Sequence, residues 1–411
     1  MGVEQPFQIQ SNGGVTAPKG FLAGGLHAGL KKTDRNDLGV IVCEVPAVAA
    51  AVYTTSIFQA APLHVTRNSI AEGKGYLRGI VVNSGNANAC TGEQGEKDAY
   101  LMRAEGAAAL GFAEHELAVA STGVIGELLP MDIVTAGIKK LPDVLEANDE
   151  GAEQFCQAIL TTDLVKKEIA VTLQVDGKTI TLGGAAKGSG MIHPNMATML
   201  GFVTTDAVIE PAVLQQLLRE VTDLTFNMIT VDGDTSTNDM LLVMASGLAQ
   251  NESLNPNHPA WDNFVAAFRH VCEYLAKEIA RDGEGASKLV EVQVHGAISD
   301  NSAKAIAKTV VGSSLVKTAI FGADANWGRI IAALGRAGEP VNPNTVDIQL
   351  GAIEVLKDSR PIRFDEDEAL AYLQGKNVVI QVYLHQGDGS AIAWGCDLTY
   401  DYVRINAAYR T

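Results

Sequence analysis

The chain contains no Cys-x-x-Cys pair, and its five cysteines, Cys43, Cys90, Cys156, Cys272 and Cys396, are odd in number and far apart. That spacing excludes both a disulfide framework and a thiolate metal site, leaving buried free thiols in a reducing compartment as the expectation. Histidines are few and scattered, eight in all, with no metal-ligand spacing, so neither a metal nor a cofactor is expected. Aromatic residues make up only 6% of the chain. No dense Lys/Arg run offsets the net charge of −17, which arises from 48 acidic and 31 basic residues. Such a surface repels phosphates, which argues against a nucleic-acid partner. The longest apolar runs, 45–53 and 240–249, are too short to span a bilayer. Residues 1–20 are polar and punctuated by Gly and Pro, without the basic-then-apolar order of a signal peptide. A cytoplasmic protein with no membrane partner is expected.

Several familiar catalytic signatures are missing too. A P-loop ends in Gly-Lys-Ser/Thr, whereas residues 187–189 read Lys-Gly-Ser. Gly188-Ser189-Gly190 is followed by His193 where a dinucleotide fingerprint needs glycine, and no serine sits in G-x-S-x-G. Asp232-Gly233-Asp234-Thr235-Ser236 begins like a calcium loop. Thr237 replaces its glycine, however, and Val243 its final carboxylate, so a capped turn is the expectation.

What is present is an ordinary globular composition, 47% apolar and 19% charged, with 41 glycines. At 411 residues the chain exceeds what one core usually supports, which suggests two domains or lobes. Helical and strand-like patterns alternate, as in a mixed α/β protein. Trp261, Phe264, Val265, Phe268, Cys272, Leu275 and Ile279 recur at helical spacing and predict a helix over 261–281, stopped by Asp282-Gly283. Pro211 opens a second helix with Val213, Leu214, Leu217, Leu218 and Val221 on one stripe. An alanine-rich third covers 98–110. Residues 168–175 alternate as a strand, and Asp176-Gly177 turns it into 178–182. Strands are also expected over 198–203, 289–295 and 378–385. The acidic segments 146–153 and 364–368 read as solvated surface.

The chemistry-bearing stretch runs Gly183-Gly184-Ala185-Ala186-Lys187-Gly188-Ser189-Gly190-Met191-Ile192-His193-Pro194-Asn195-Met196-Ala197-Thr198-Met199-Leu200. An irregular loop meeting an apolar strand is its natural reading. His193 has no Asp or Cys partner close in sequence and reads as a loop histidine. Ala197-Thr198 is a candidate for self-cleavage, because a small residue before the threonine leaves its carbonyl open to the hydroxyl. By itself the pair is no more than a candidate.

The run from Lys187 to Leu200 closely resembles the cleavage region of the ornithine acetyltransferase (glutamate N-acetyltransferase) family. The resemblance extends over the whole chain. It includes Asn83-Ser84-Gly85-Asn86-Ala87-Asn88-Ala89-Cys90-Thr91-Gly92, Ser121-Thr122-Gly123-Val124-Ile125-Gly126 and Asp232-Gly233-Asp234-Thr235-Ser236-Thr237-Asn238-Asp239. It continues through Gly322-Ala323-Asp324-Ala325-Asn326-Trp327-Gly328-Arg329 and Arg404-Ile405-Asn406-Ala407-Ala408-Tyr409-Arg410-Thr411.

The resemblance implies a four-layer αββα sandwich similar in layering to N-terminal-nucleophile hydrolases, differently connected, with a smaller C-terminal α/β domain from about residue 290. It implies a precursor that cuts itself between Ala197 and Thr198 into an α subunit, 1–197, and a β subunit, 198–411, assembled as an α2β2 heterotetramer. Thr198 would be the nucleophile. Its freed α-amine, with a reference pKa of about 7.7–8.0 against about 10.4 for lysine, is a fitting base for its own hydroxyl. Thr122 and Gly123 would form the oxyanion hole. Substrate would be bound by Thr161, Lys187, Thr198, Glu284, Asn406 and Thr411, with Lys187 suited to a carboxylate and Glu284 to an amino group.

The implied reaction belongs to arginine biosynthesis. It passes acetyl from N2-acetyl-L-ornithine to L-glutamate through an acetyl-threonine ester, with acetyl-CoA as a further donor in some members. Two other readings stand beside it: a self-processing aminopeptidase that passes the acyl group to water, and a self-cleaved but catalytically silent subunit.

Overall fold

The computed structural model describes residues 5–193 and 199–408. A nine-stranded sheet forms its larger part. Its order is Gln8–Ile9, Lys167–Val175, Lys178–Lys187, Leu200–Thr205, Met240–Ala245, Leu38–Tyr53, Tyr76–Asn86 and Leu117–Val124, with Phe21–Leu26 paired to the first half of Leu38–Tyr53. The 16-residue strand Leu38–Tyr53 is the hinge of this sheet. Residues 38–43 pair with Phe21–Leu26, whereas 48–53 pair with Met240–Ala245. Its register with Tyr76–Asn86 shifts between Val42 and Ala47. Pro46 lies within that shift, and without an N–H it cannot continue the ladder.

The period-2 alternation of the strands sorts side chains into three cores. Ile80, Val82, Ala185, Phe202, Met240, Leu242 and Met244 face one interior, shared with Phe155 of the helix Asp149–Ile159. Phe155 meets Phe202 edge-on, with ring centroids 5.2 Å apart. The opposite face divides. Leu38, Val40, Val81 and Val119 pack on the helices Gly92–Leu110 and Met131–Ile138. Ala50, Val52, Val203, Leu241 and Val243 pack with Pro211–Leu224 and Trp261–Arg281. The sequence of layers is helix, sheet, sheet, helix: the αββα order in a mixed α/β molecule.

A second, seven-stranded sheet runs Arg360–Pro361, Ile353–Lys357, Asp347–Leu350, Asn377–Tyr383, Leu289–Ala297, Gly389–Cys396 and Ile229–Thr230. The helix Asp300–Val311 covers it, and Trp261–Arg281 touches strands of both sheets. That helix buries Phe264, Phe268, Val271, Cys272, Leu275 and Ile279 along its expected stripe. Each large side chain so buried contributes about 1.5–3 kcal/mol. It stops where Gly283 presses against the second sheet, since a Cβ there would lie 2.7 Å from Cys396 Sγ.

Three expectations need correction. The alanine-rich helix begins at Gly92, because residues 92–97, poor in apolar side chains, extend it by a stretch in which Gly95 alone is buried. The 146–153 segment is solvated only in part. Asn148 accepts the Gly151 N–H to start the helix Asp149–Ile159, and Gly151 and Ala152 are buried against the sheet. Cys90 is exposed, while the other four cysteines are buried and free.

Candidate active site

Strand ends and loops converge on a cavity of about 230 Å³. Thr122 and Gly123 come from the end of Leu117–Val124, and Lys187 from the end of Lys178–Lys187. The 232–239 loop lines one wall, Thr161 and Thr162 another. Glu284 arrives just after the helix Trp261–Arg281, and Tyr402 and Asn406 from the last helix, Tyr400–Ala408.

The Thr-Gly turn is fixed by close packing. Asn86 pairs with both Thr122 and Val124, bulging the parallel ladder around Gly123. Gly123 has φ +135°, and a Cβ there would lie 2.3 Å from the Gly85 carbonyl carbon, so only glycine fits. Asn238 donates to the carbonyls of Ala87 (2.6 Å) and Ser121 (2.8 Å), locking the 232–239 loop onto this turn. The Thr122 hydroxyl accepts from Lys187 Nζ at 3.3 Å.

Beneath the cavity lies a buried ion triad. Asp163 accepts N–H groups from Thr161 (3.0 Å) and Gly188 (2.7 Å) and pairs with Lys167 Nζ at 2.8 Å. Lys167 also reaches Asp282 Oδ2 at 2.6 Å. Burial opposes ionisation of Asp163, but Lys167 and Lys187 outweigh it and hold the carboxyl well below the usual range. Asp282 differs in sign although it shares the same ammonium. Burial raises it, and a single lysine, faced also by Asp163, does not reverse that. Lys187, itself buried, is lowered by desolvation and by Lys167, against the pull of Asp163, Asp239 and Glu284.

Glu284 is held on three sides. Its N–H donates to Ser189 O (3.0 Å), Asn406 Nδ2 donates to its Oε2 (2.8 Å), and Gly190 lies against its carboxyl. A Cβ on Gly190 would fall 2.3 Å from Glu284 Cδ. Asp232 forms the capped turn expected of its motif, accepting the N–H groups of Met191 (2.7 Å), Ile192 (2.9 Å) and Asp234 (3.1 Å). His193 Nδ1 lies 3.0 Å from Thr230 Oγ1, and burial lowers its pKa to about 4, so it is neutral near pH 7.

Thr122, Gly123, Thr161, Lys187, Glu284 and Asn406, which span most of the sequence, therefore line one cavity. Ala197, Thr198 and Thr411 lie outside the described residues; Met199 and Leu200, which follow Thr198, line the cavity too. Sequence reasoning missed Asp163, Lys167, Asp282, Asn238, Asp239 and Tyr402 as parts of the site. Asp239 and Asn238 stood within a quoted motif, but nothing in their spacing separates a cavity wall from a turn.

Within the layered α/β sandwich, one polar cavity thus joins backbone turns, carboxylates and a buried lysine. The ArgJ family model matches residues 22–411. The arginine biosynthesis bifunctional proteins ArgJ of Geobacillus kaustophilus and Geobacillus stearothermophilus are 63% and 61% identical over 402 residues, 98% of this chain and 97% of each relative. The crystal structure of arginine biosynthesis bifunctional protein argJ from Bacillus halodurans is 62% identical, with a TM-score of 0.50, and covers 51% of this chain and 98% of that chain. The chain belongs to the ArgJ family and is an acetyltransferase of arginine biosynthesis.

Proposed function

We propose that the chain cuts itself between Ala197 and Thr198 and that Thr198 then carries acetyl from N2-acetyl-L-ornithine to L-glutamate. In the cut, the threonine hydroxyl attacks the Ala197 carbonyl, the acyl group shifts from nitrogen to oxygen and frees the Thr198 amine, and water then hydrolyses the ester to the Ala197 carboxylate and the Thr198 hydroxyl. That amine takes the hydroxyl proton when Thr198 attacks the acetyl carbon, and ornithine leaves. Glutamate then attacks the acetyl-threonine ester. The Thr122 hydroxyl and Gly123 N–H hold the oxyanion in both steps, a donor of this kind lowering the barrier by about 2.7–4 kcal/mol. Lys187 pairs with a substrate carboxylate, and Glu284, oriented by Asn406, with its amino group. Thr161, and Thr411 at the chain's end, complete the substrate site.

The observation that carries this reading is the convergence of Thr122, Gly123, Thr161, Lys187, Glu284 and Asn406 on the cavity that Met199 also lines. The extent of the Bacillus halodurans chain supports the cut: it is matched over 98% of its length yet covers only 51% of this chain. The two products, 1–197 and 198–411, with a smaller C-terminal domain from about 290, would form an α2β2 cytoplasmic enzyme, with acetyl-CoA as a second donor.

The test is to mix the enzyme with N2-acetylornithine carrying a labelled acetyl group, first without glutamate. Label on the Thr198 peptide, discharged by glutamate as N-acetylglutamate, supports the reading. Label appearing only as acetate would assign the chain to hydrolysis instead, and label on another residue would remove Thr198 from its role.

A further inference from the structure

One carboxyl group of the cavity has no part in the reaction just described. Asp239 directly precedes the strand Met240–Ala245 and is 3% exposed. Its backbone is fixed on two sides: its carbonyl accepts the Thr54 N–H at 3.0 Å, and the next residue, Met240, donates its N–H to Met199 O at 2.9 Å. Met240 pairs with Leu200 in the parallel ladder, so Asp239 stands level with Met199, the residue after Thr198. Its Oδ2 is buried and has no hydrogen-bond partner among the described residues. A buried, unpaired carboxyl oxygen is costly, and it is retained here on a cavity wall. Burial raises the group well above the usual carboxylate range, which favours its protonated form; Ser236 and Lys187 oppose this without reversing it.

We infer that Asp239 donates the proton that lets the amine leave during acetyl transfer, and recovers a proton from the incoming amine. The inference rests on the Thr198 reading above. An amide nitrogen leaves poorly unless it is protonated, and the Thr198 amine already holds the proton taken from its hydroxyl. The other groups on the cavity are committed, apart from Asp234, which is exposed to solvent. Lys187 donates to Thr122, Glu284 accepts from Asn406, and Asp232 accepts three backbone N–H groups. Tyr402 is pushed up to about 12, chiefly by burial.

The protons balance over one cycle. In the first half, the Thr198 Oγ–carbon bond forms, the hydroxyl proton passes to the threonine amine, and the amide C–N bond breaks as Asp239 gives its proton to nitrogen. In the second half, the new amine forms its C–N bond and loses one N–H proton to the Asp239 carboxylate. The Thr198 ammonium meanwhile returns its proton to Oγ as the ester C–O bond breaks.

The test compares two acetyl donors in Asp239→Asn, with rates expressed per chain bearing Thr198 at its N-terminus. p-Nitrophenyl acetate has a leaving group that needs no proton; N2-acetylornithine has one that does. Acetylation by the nitrophenyl ester should stay within about threefold of the unmutated enzyme, whereas kcat with acetylornithine should fall on the order of 10²–10⁴-fold. Equal losses with both donors would assign Asp239 a structural role, and no loss with acetylornithine would remove it from the proton path; either overturns the proposal.

The unmutated enzyme supplies a test that needs no variant. Lys187, Asp232, Asp234, Glu284 and Tyr402 face the same cavity, and Lys187 and Glu284 meet the carboxylate and amino groups that only acetylornithine carries, so the comparison is made at saturating donor, where ground-state recognition no longer enters kcat. At saturation, kcat with acetylornithine should fall as pH rises and Asp239 ionises, while nitrophenyl ester acetylation should not follow that fall. Parallel profiles would contradict the inference. Failure of the nitrophenyl ester to label Thr198 in unmutated enzyme would instead refute the underlying nucleophile reading, and the inference with it.

Discussion

Lys167 Nζ lies 2.6 Å from Asp282 Oδ2, joining a strand on the N-terminal side of Thr198 to the turn on its C-terminal side that presents Glu284. The same ammonium binds Asp163, whose carboxylate holds Thr161 and Gly188. One buried cation thus sets the relative positions of groups on both sides of the proposed cut.

Removing that cation strands two carboxylates away from water. Lys167→Met is expected to destabilise the protein by about 3–5 kcal/mol. Denaturant unfolding measures this, and a change under 1 kcal/mol would show that the triad does not hold the two halves together.

The Gly190–Glu284 contact yields a sharper functional prediction. Gly190→Ala forces the Glu284 carboxyl to move, because its new Cβ would lie 2.3 Å from Cδ. KM for acetylornithine should rise about tenfold or more in Gly190→Ala and in Glu284→Gln alike, with a smaller change in kcat. An unchanged KM in both would remove Glu284 from the recognition of the substrate amino group.

Thr122→Ala deletes a hydroxyl from the oxyanion hole. A fall in kcat of about 10²–10³-fold, with the melting temperature little altered, is expected. Steady-state kinetics beside a thermal melt checks both halves of that statement, and a normal kcat would leave the Gly123 N–H as the hole's donor.

His193 gives a pH signature. Its pKa is lowered from 6.5 to about 4, chiefly by burial, with Lys308 adding and Asp234 opposing. Between those values the unfolded chain binds a proton that the folded chain does not. Stability contributed here is therefore full above pH 6.5 and is lost as pH falls toward 4. His193→Gln should flatten the stability profile across that window in urea titrations at successive pH values. An unchanged slope would contradict the assignment.

Much of the fold was legible because it rests on local periodicity. Trp261–Arg281 shows in its apolar stripe, and the strands Lys167–Val175 and Lys178–Lys187 show in alternation and an Asp-Gly turn. The bend of Leu38–Tyr53 was not legible, since it depends on which strands pair with each half. For the site, Thr122, Lys187 and Glu284 were named only through resemblance to a family; on spacing alone each reads as a turn or a chain-end charge. Asp163, Lys167 and Asp282 were missed because the pair four residues apart, Asp163 and Lys167, reads by itself as a surface charge pair, and its burial depends on Asp282, 115 residues from Lys167.

The most direct test of the central claim is the intact mass of freshly purified protein under denaturing conditions, beside Thr198→Ala. The account predicts two species from the unmutated chain, dividing between Ala197 and Thr198, and one full-length species from the variant. A single full-length species from active, unmutated protein, or a cleaved Thr198→Ala, would contradict it.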